Sequence, residues 1–156
     1  VKACVPRGYL PRKDVKGEIC LITGAGSGIG RLMAIEFAKL GCTMVLWDVN
    51  TAGNEETKSM LGKTGVSVHV YTVDLSKREE INATAKRVLK EVGTVDILYL
   101  QINNAGVVTG KTLAEMSDES IERSMAVNAS ACIYTAKNFV KPMIEKNHGH
   151  IVTIAS

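Results

Sequence analysis

The chain has few aromatic residues, little net charge and no long apolar run. Aromatic side chains make up 4% of the 156 residues, and the net charge is only +3. A nucleic-acid-binding protein usually combines a dense basic face with aromatic rings for base stacking, so this composition argues against that class. No apolar stretch approaches the roughly 18 residues that a membrane-spanning helix needs, and no signal peptide is recognisable. Membrane association is therefore expected only if a segment outside this chain supplies it.

Cysteine and histidine patterns argue against a disulfide framework and against a metal centre. The four cysteines include no C-x-x-C pair, and Cys20 and Cys42 fall in or beside predicted strands. This pattern predicts buried, reduced thiols. His148 and His150 flank Gly149, but no third ligand stands at a suitable spacing, so no metal site is predicted.

The stretch that remains to be explained is residues 19–30, ICLITGAGSGIG. A short apolar run leads into a glycine-rich turn, and a helical pattern of apolar residues follows. This order predicts a buried strand, a tight loop and a helix, which together place a phosphate on backbone N–H groups at a helix N-terminus. A flexible turn without a ligand is the alternative interpretation, and the flanking strand and helix patterns argue against it.

The glycines of this stretch follow the spacing G-x-x-x-G-x-G, at Gly24, Gly28 and Gly30. We expect Gly24 to turn the chain out of the strand and Gly28 to let the backbone approach a pyrophosphate. Gly30 is expected to let the helix lie close to the sheet. Ser27 and Ile29 complete the predicted cofactor-binding loop.

Apolar strand patterns alternate with helical patterns along the rest of the chain. Several strands are apolar on both faces, which is typical of a parallel sheet covered by helices on each side. Right-handed crossovers then predict an α/β, doubly wound (Rossmann-type) sheet. Residues 1–17 are predicted to be a polar N-terminal arm and residues 18–156 a dinucleotide-binding domain. The predicted strands are 18–23, 43–47, 66–73, 95–102 and 150–155, and the predicted helices are 28–40, 52–62, 77–92 and one from an N-cap at Ser117 to about Lys141.

Two carboxylates follow predicted strands of this sheet. Asp48 ends the second strand, where it can accept hydrogen bonds from the adenosine ribose and repel a 2′-phosphate. It therefore favours NAD over NADP, although an ordinary loop aspartate is the alternative. Asp74, followed by Leu75, ends the third strand and is a candidate contact for the adenine. A helix cap is the alternative role of Asp74.

Several motifs follow one another along the chain: residues 23–30 (TGAGSGIG), Asp74, residues 103–106 (NNAG), Asn128 and residues 151–156 (IVTIAS). In this order they resemble the motifs of the short-chain dehydrogenase/reductase family, and the resemblance extends from residue 18 onward. The resemblance implies five strands in the order 3-2-1-4-5, with the C-terminal part of the family fold missing. It also implies hydride transfer between a nicotinamide cofactor and an alcohol or carbonyl.

Three further stretches are similar to one branch of that family. Residues 46–50, 54–57 and 147–152 resemble the retinol dehydrogenase and 17β-hydroxysteroid dehydrogenase branch, including the epidermal retinol dehydrogenases. The resemblance implies a small lipophilic alcohol or ketone as substrate, of retinoid or steroid type. It also implies a homo-oligomer in a cytosol-facing position at the endoplasmic reticulum membrane or a lipid droplet.

The family resemblance assigns roles to individual residues. Asn104, Ala105 and Gly106 match the turn that lies against the cofactor, Asn128 matches the asparagine of a proton relay, and Ser156 matches the serine that orients the substrate oxygen. The catalytic Tyr-x-x-x-Lys pair of the family is absent after the fifth predicted strand.

The segment that starts at Tyr9 fits the letters of that catalytic pair but not its chemistry. Pro11 lies between Tyr9 and Lys13 and disfavours the helix that would bring both side chains to one face. The 156-residue chain is therefore expected to show no appreciable hydride transfer. A truncated module that binds NAD or a partner, and a damaged product with little function, are the alternatives to an active dehydrogenase.

The fourth predicted strand departs from the family pattern. Three extra residues separate Asp96-Ile97-Leu98 from the turn at residues 103–106. An odd insertion reverses the facing of side chains unless a bulge absorbs it, so we predict a longer strand or a bulge near Tyr99–Gln101. The fifth strand is expected to form a poorly covered edge of the sheet.

Overall fold

Five parallel strands form one sheet in the computed structural model, which describes residues 13–101 and 112–154. The strand order is β3-β2-β1-β4-β5, so the predicted order 3-2-1-4-5 is confirmed. Each predicted strand is present, and most boundaries differ by no more than two residues. The strands are β1 (Ile19–Thr23), β2 (Thr43–Asp48), β3 (Val68–Thr72), β4 (Ile97–Gln101) and β5 (His150–Ile154).

The strands are apolar on both faces because helices cover both faces of the sheet. Leu21, Val45 and Leu98 belong to a core on one face, and Cys20 and Met44 belong to a second core on the opposite face. Helices α1 (Gly28–Lys39) and α2 (Thr51–Leu61) contribute to the second core, and α3 (Arg78–Glu91) and α5 (Ala131–Glu145) contribute to the first. The arrangement is the predicted doubly wound, Rossmann-type sheet.

Single 3₁₀ turns and a π-helical segment complete the described elements. The turns are Gly62–Thr64 and Leu113–Glu115, and α4 (Asp118–Met125) runs through a π-helical segment (Ala126–Ser130) into α5. The Ser117 side chain caps α4 by accepting a hydrogen bond from the N–H of Ser120, as predicted.

The last helix ends four residues later than predicted. Pro142 lies inside α5, and the N–H groups of Lys146 and His148 bond the carbonyls of Pro142 and Met143. A proline in the last turn removes one donor without breaking these closing bonds, so the helix continues to Glu145.

Of the two alternatives predicted for the fourth strand, a longer strand or a bulge near Tyr99–Gln101, the described residues show no bulge. Ile97–Gln101 pair one for one with His150–Ile154, and the register with β1 is also continuous. The three extra residues therefore leave β4 regular up to Gln101. The residues that follow lie outside the described part of the chain.

The fifth strand has the exposed character that the sequence predicts. β5 is the last strand in the sheet order, and Ile151 keeps 39% of its surface exposed while Val152 and Ile154 are half-buried. In residues 13–101 and 112–154, no helix is both long enough and apolar enough to cross a bilayer.

Candidate functional site

The glycine-rich loop joins β1 directly to α1, as predicted. Gly24 has φ +67° and Gly28 has φ +52°, which are conformations that side-chain-bearing residues rarely adopt. Ser27 precedes the helix in an extended conformation, and its side chain makes no capping hydrogen bond to α1. The first N–H groups of an α-helix have no partner within the helix, so the start of α1 is a suitable place for an anion.

Gly30 and Ile29 lie in the first turn of α1. Gly30 is buried in this turn. Ile29 is 52% exposed, so its side chain contributes little to the protein core.

The backbone of Ala25 is held by the protein itself. Its N–H donates to the carbonyl of Trp47 over 3.2 Å, and its carbonyl accepts from the Thr57 hydroxyl over 2.9 Å. Thr57 is fully buried in α2. The loop is thus tied to the end of β2 on one side and to α2 on the other.

Asp48 occupies the predicted place at the end of β2 and contacts the loop. Its Oδ2 accepts a hydrogen bond of 2.7 Å from the N–H of Gly26, and its Oδ1 accepts one of 2.8 Å from the N–H of Asn50. A carboxylate offers about four lone-pair sites, so two acceptor positions remain for a ligand. No ion pair among the described residues neutralises Asp48.

Asp74 follows β3 and is engaged with its own loop. Its Oδ1 accepts from both the N–H (2.9 Å) and the hydroxyl (2.7 Å) of Ser76. Burial alone would raise the pKa of the Asp74 carboxyl, but these bonds and the charges of Lys77 and Arg123 outweigh it and lower the pKa. Lys77, not Asp74, is the N-cap residue of α3. Leu75 packs against the core beneath.

Asn128 lies in the middle of the π-helical segment between α4 and α5. Its Oδ1 is buried and has no hydrogen-bond partner among the described residues. Val127 and Ala131, on either side, are buried in the protein. A π-helical segment inside an α-helix often marks a functional position. The sequence singled out Asn128, but it gave no sign of the π-helical geometry around it.

Four predicted site residues lie outside the described residues. They are Asn104, Ala105 and Gly106 of the cofactor turn, and Ser156 at the end of the chain. Most of the rejected segment at Tyr9 also lies outside, and its described residue, Lys13, pairs with Glu18 over 3.1 Å.

Cysteine and histidine side chains behave as structural groups where they are described. Cys20 and Cys42 are buried free thiols, and burial is the main cause that raises the pKa of each. His148 bonds the Glu18 carboxylate over 3.0 Å through Nε2. No cluster suited to a metal ion occurs within residues 13–101 and 112–154.

The sequence did not single out Arg31, Gly26 or Thr57. Arg31 follows Gly30 directly, and its guanidinium contacts Gly26, Gly53, Glu56 and Thr57. The partners on α2 stand 22 to 26 residues away in sequence, so spacing alone could not show the contact. A charged residue directly after a glycine-rich loop was the available signal.

Comparison with known proteins gives the class to which this fold and loop belong. A family model described as short chain dehydrogenase matches residues 18–156. The chain belongs to the short-chain dehydrogenase family.

Two curated relatives show the branch of the family. The chain is 53% identical to human epidermal retinol dehydrogenase 2 over 147 residues, covering 94% of this chain and 47% of that protein. It is 51% identical to mouse estradiol 17-beta-dehydrogenase 11 over 156 residues, covering 100% of this chain and 50% of that protein. The chain thus spans about half the length of these relatives.

Solved structures of similar proteins hold either nicotinamide cofactor. A metagenomic short-chain oxidoreductase in complex with NADP matches with a TM-score of 0.85 at 30% identity, over 92% of this chain and 64% of that chain. A short-chain dehydrogenase/reductase from Burkholderia phymatum in complex with NAD also matches with a TM-score of 0.85, at 32% identity, over 93% of this chain and 51% of that chain.

Proposed function

We propose that this chain carries the cofactor site of an NAD-dependent short-chain dehydrogenase that interconverts a retinoid or steroid alcohol and its carbonyl. The observation that carries the proposal is the contact between Asp48 and the glycine-rich loop. Asp48 Oδ2 lies 2.7 Å from the N–H of Gly26, so a carboxylate borders the loop where a dinucleotide would bind. The similarity to solved family members that hold NAD or NADP supports a nicotinamide cofactor.

The residues of the loop fit a dinucleotide. Gly28 has a positive φ and no side chain, and the N–H groups at the start of α1 have no partner in the helix. These groups would hold the diphosphate, and Asp48 would accept hydrogen bonds from the ribose hydroxyls. Asp74 and Leu75, after β3, would border the adenine.

Selectivity for NAD follows from the charge of Asp48. A 2′-phosphate would meet a carboxylate that no described cation neutralises. The negative charges of the phosphate and of the Asp48 carboxylate would repel each other, whereas a ribose hydroxyl would donate a hydrogen bond to the same carboxylate. The family contains members that hold NAD and members that hold NADP, so membership alone does not decide the cofactor. Asp48 is the residue that supports NAD for this chain.

The cofactor, when bound, supplies or accepts the hydride at its nicotinamide ring. The Asn128 amide oxygen, buried without a partner, would accept a hydrogen bond from a water that relays a proton. Ser156 would orient the substrate oxygen through its hydroxyl, and Asn104, Ala105 and Gly106 would lie against the cofactor. These roles are part of the proposal and come from the family resemblance.

The substrate class is proposed from the relatives. Their names give retinol and estradiol as alcohols, which are both apolar molecules with one reacting hydroxyl. A lipid substrate also agrees with the proposed location at the endoplasmic reticulum membrane or a lipid droplet. We expect the 156-residue chain to bind the dinucleotide.

Titration with NADH and NADPH tests the cofactor proposal. Trp47, the single tryptophan, precedes Asp48, so energy transfer from its indole to bound nicotinamide reports binding. We expect NADH to bind at least about tenfold more tightly than NADPH, and Asp48→Asn to remove most of that preference. Asp118→Asn, an exposed carboxylate in α4, is the matched control and should change neither affinity. Tighter binding of NADPH by the unmodified chain would overturn NAD selectivity, and no binding of either would overturn the site.

A further inference from the structure

We propose that Arg31 is a positioning residue that holds the glycine-rich loop in its binding shape before the cofactor arrives. The inference rests on the proposed function, because it assigns Arg31 a part in dinucleotide binding. Arg31 lies in the first turn of α1, and its side chain turns to α2 instead of to the open side of the loop.

The guanidinium of Arg31 spans the gap between the loop and α2. It donates to the carbonyl of Gly26, to the carbonyl of Gly53 over 3.3 Å, to the Thr57 hydroxyl over 3.0 Å and to the Glu56 carboxylate over 2.7 Å. The side chain is 21% exposed, so these contacts are partly shielded from water. Nε donates to Thr57, and the two N–H bonds of Nη2 are shared among Gly26, Gly53 and Glu56, an arrangement that suits a planar guanidinium better than a lysine ammonium.

Both backbone polar groups of Gly26, its N–H and its carbonyl, are consequently bonded within the protein. Asp48 accepts from its N–H, and Arg31 donates to its carbonyl. The neighbouring Ala25 is also bonded at both its N–H and its carbonyl, by Trp47 and Thr57. All four backbone polar groups of these two loop residues therefore have partners within the protein, and none of the four depends on a ligand.

This arrangement commits the carbonyls of Ala25 and Gly26 to partners within the protein. The carbonyl oxygens of Ala25 and Gly26 face side chains of α1 and α2. If either peptide turned over, its carbonyl oxygen would compete with the N–H groups that meet the diphosphate. Arg31 thus favours a loop conformation that leaves the N–H groups at the start of α1 to the diphosphate, which lowers the ordering cost of binding.

Glu56 keeps the charge of Arg31 away from the cofactor. Its carboxylate is 58% exposed and lies 2.7 Å from the guanidinium, which places the pair on the α2 side of the loop. The arginine charge is therefore matched locally, and Asp48 remains the charged group that selects the ribose.

Replacement of Arg31 tests the inference with two independent measurements. Arg31→Met is expected to weaken NADH binding about tenfold, since it removes several charge-assisted hydrogen bonds from the loop. In the absence of cofactor, it should also speed amide exchange in residues 24–30 while leaving β2 and β3 protected. Lys39→Met is the matched control, because Lys39 lies on the same helix and forms one exposed ion pair, with Glu36. It should change neither measurement.

Further variants separate positioning from a general loss of structure. Guanidinium ion, added to Arg31→Met far below denaturing concentrations, should restore part of the affinity, and Arg31→Lys should recover less than half of the loss. Thr57→Val removes the hydroxyl that donates to the Ala25 carbonyl and accepts from Arg31. It should show a smaller loss of the same kind. It provides a second test if Arg31→Met does not fold.

The outcomes distinguish this inference from the proposed function. If the unmodified chain binds no dinucleotide, the proposed function fails, and amide exchange of the loop still decides whether Arg31 orders it. If NADH binds but Arg31→Met binds it equally well, with unchanged exchange, the positioning role is wrong and the cofactor site stands. Equal losses in Arg31→Met and Lys39→Met would also overturn the positioning role.

Discussion

A single glycine, Gly26, brings the strand, the loop and the candidate ribose contact together. It is not one of the three glycines in the G-x-x-x-G-x-G spacing, yet its N–H meets Asp48 at 2.7 Å. A Cβ atom added to Gly26 would lie 2.9 Å from both Cγ and Oδ2 of Asp48. Gly26 therefore fixes how closely the carboxylate can approach the loop.

Gly26→Ala is expected to displace the Asp48 carboxylate and to weaken NADH binding about tenfold. The chain should also lose about 1–2 kcal/mol of unfolding free energy, because the hydrogen bond of Gly26 to Asp48 is lost or lengthened. Gly62→Ala is the control, since a Cβ at Gly62 meets nothing within 4 Å and the backbone there is helical. It should leave NADH affinity unchanged and keep or slightly raise stability. Equal NADH affinity in Gly26→Ala would show that the carboxylate can move freely.

At the scale of an element, Asn128 occupies a position in the helical stretch from α4 to α5 that costs the fold stability. Asn128 places a polar oxygen in a buried spot with no partner among the described residues. Such an atom costs about 1–3 kcal/mol, and asparagine is also a weak helix former. A cost of this size is consistent with a residue kept for what it binds.

Asn128→Ala is accordingly expected to raise the free energy of unfolding by about 1 kcal/mol, measured by urea denaturation. Asn138→Ala is the matched control on α5, because the Asn138 amide has partners. Its Nδ2 donates to Asn82 Oδ1 over 2.8 Å and to the Tyr134 carbonyl over 2.7 Å. That substitution should destabilise the chain by about 1 kcal/mol. A loss of stability in Asn128→Ala would mean that the amide is satisfied in solution.

The sequence predicted the strands and helices better than it predicted the irregular helical segment and the contacts between helices. Apolar runs and glycines located all five strands, and the Ser117 cap was confirmed, because these signals are local. The π-helical segment around Asn128 was not predictable, since a one-residue change of helical hydrogen bonding has no pattern of its own. The contact of Arg31 with Thr57 depends on two helices meeting, which spacing along the chain does not encode.

At the scale of the whole molecule, charged side chains connect the strands at the end of the sheet opposite the glycine-rich loop. Asp96, just before β4, accepts from the Lys146 ammonium over 2.6 Å and from the N–H of Ile19 over 3.0 Å. Beside it, Glu18 bonds His148 over 3.0 Å. These contacts link β1 and β4 to the turn that precedes β5, so they set how the last strand joins the sheet.

Asp96→Asn is expected to lower the free energy of unfolding at pH 7 by about 2 kcal/mol. Asp96 is 4% exposed, so its loss leaves the N–H of Ile19 and the Lys146 ammonium with a weaker partner. We place the value below that of a fully buried pair because the Lys146 side chain is 50% exposed. Glu145→Gln, which removes an exposed pair at 3.9 Å with Lys141, should stay within about 0.5 kcal/mol.

The pH dependence of this loss identifies its cause. Burial alone would raise the pKa of Asp96, but the hydrogen bonds from Lys146 and Ile19 and the charges of Lys146 and His148 outweigh it and lower the pKa. A carboxyl with a lowered folded-state pKa stabilises the protein fully above its unfolded pKa of about 3.9, and less as the pH falls through the folded value. The difference between the unmodified chain and Asp96→Asn, measured by urea unfolding, should therefore be present at pH 5 and shrink below about pH 4. A difference that persists unchanged in acid would assign the loss to packing, because a protonated Asp96 carboxyl has no charge whose removal could cost stability.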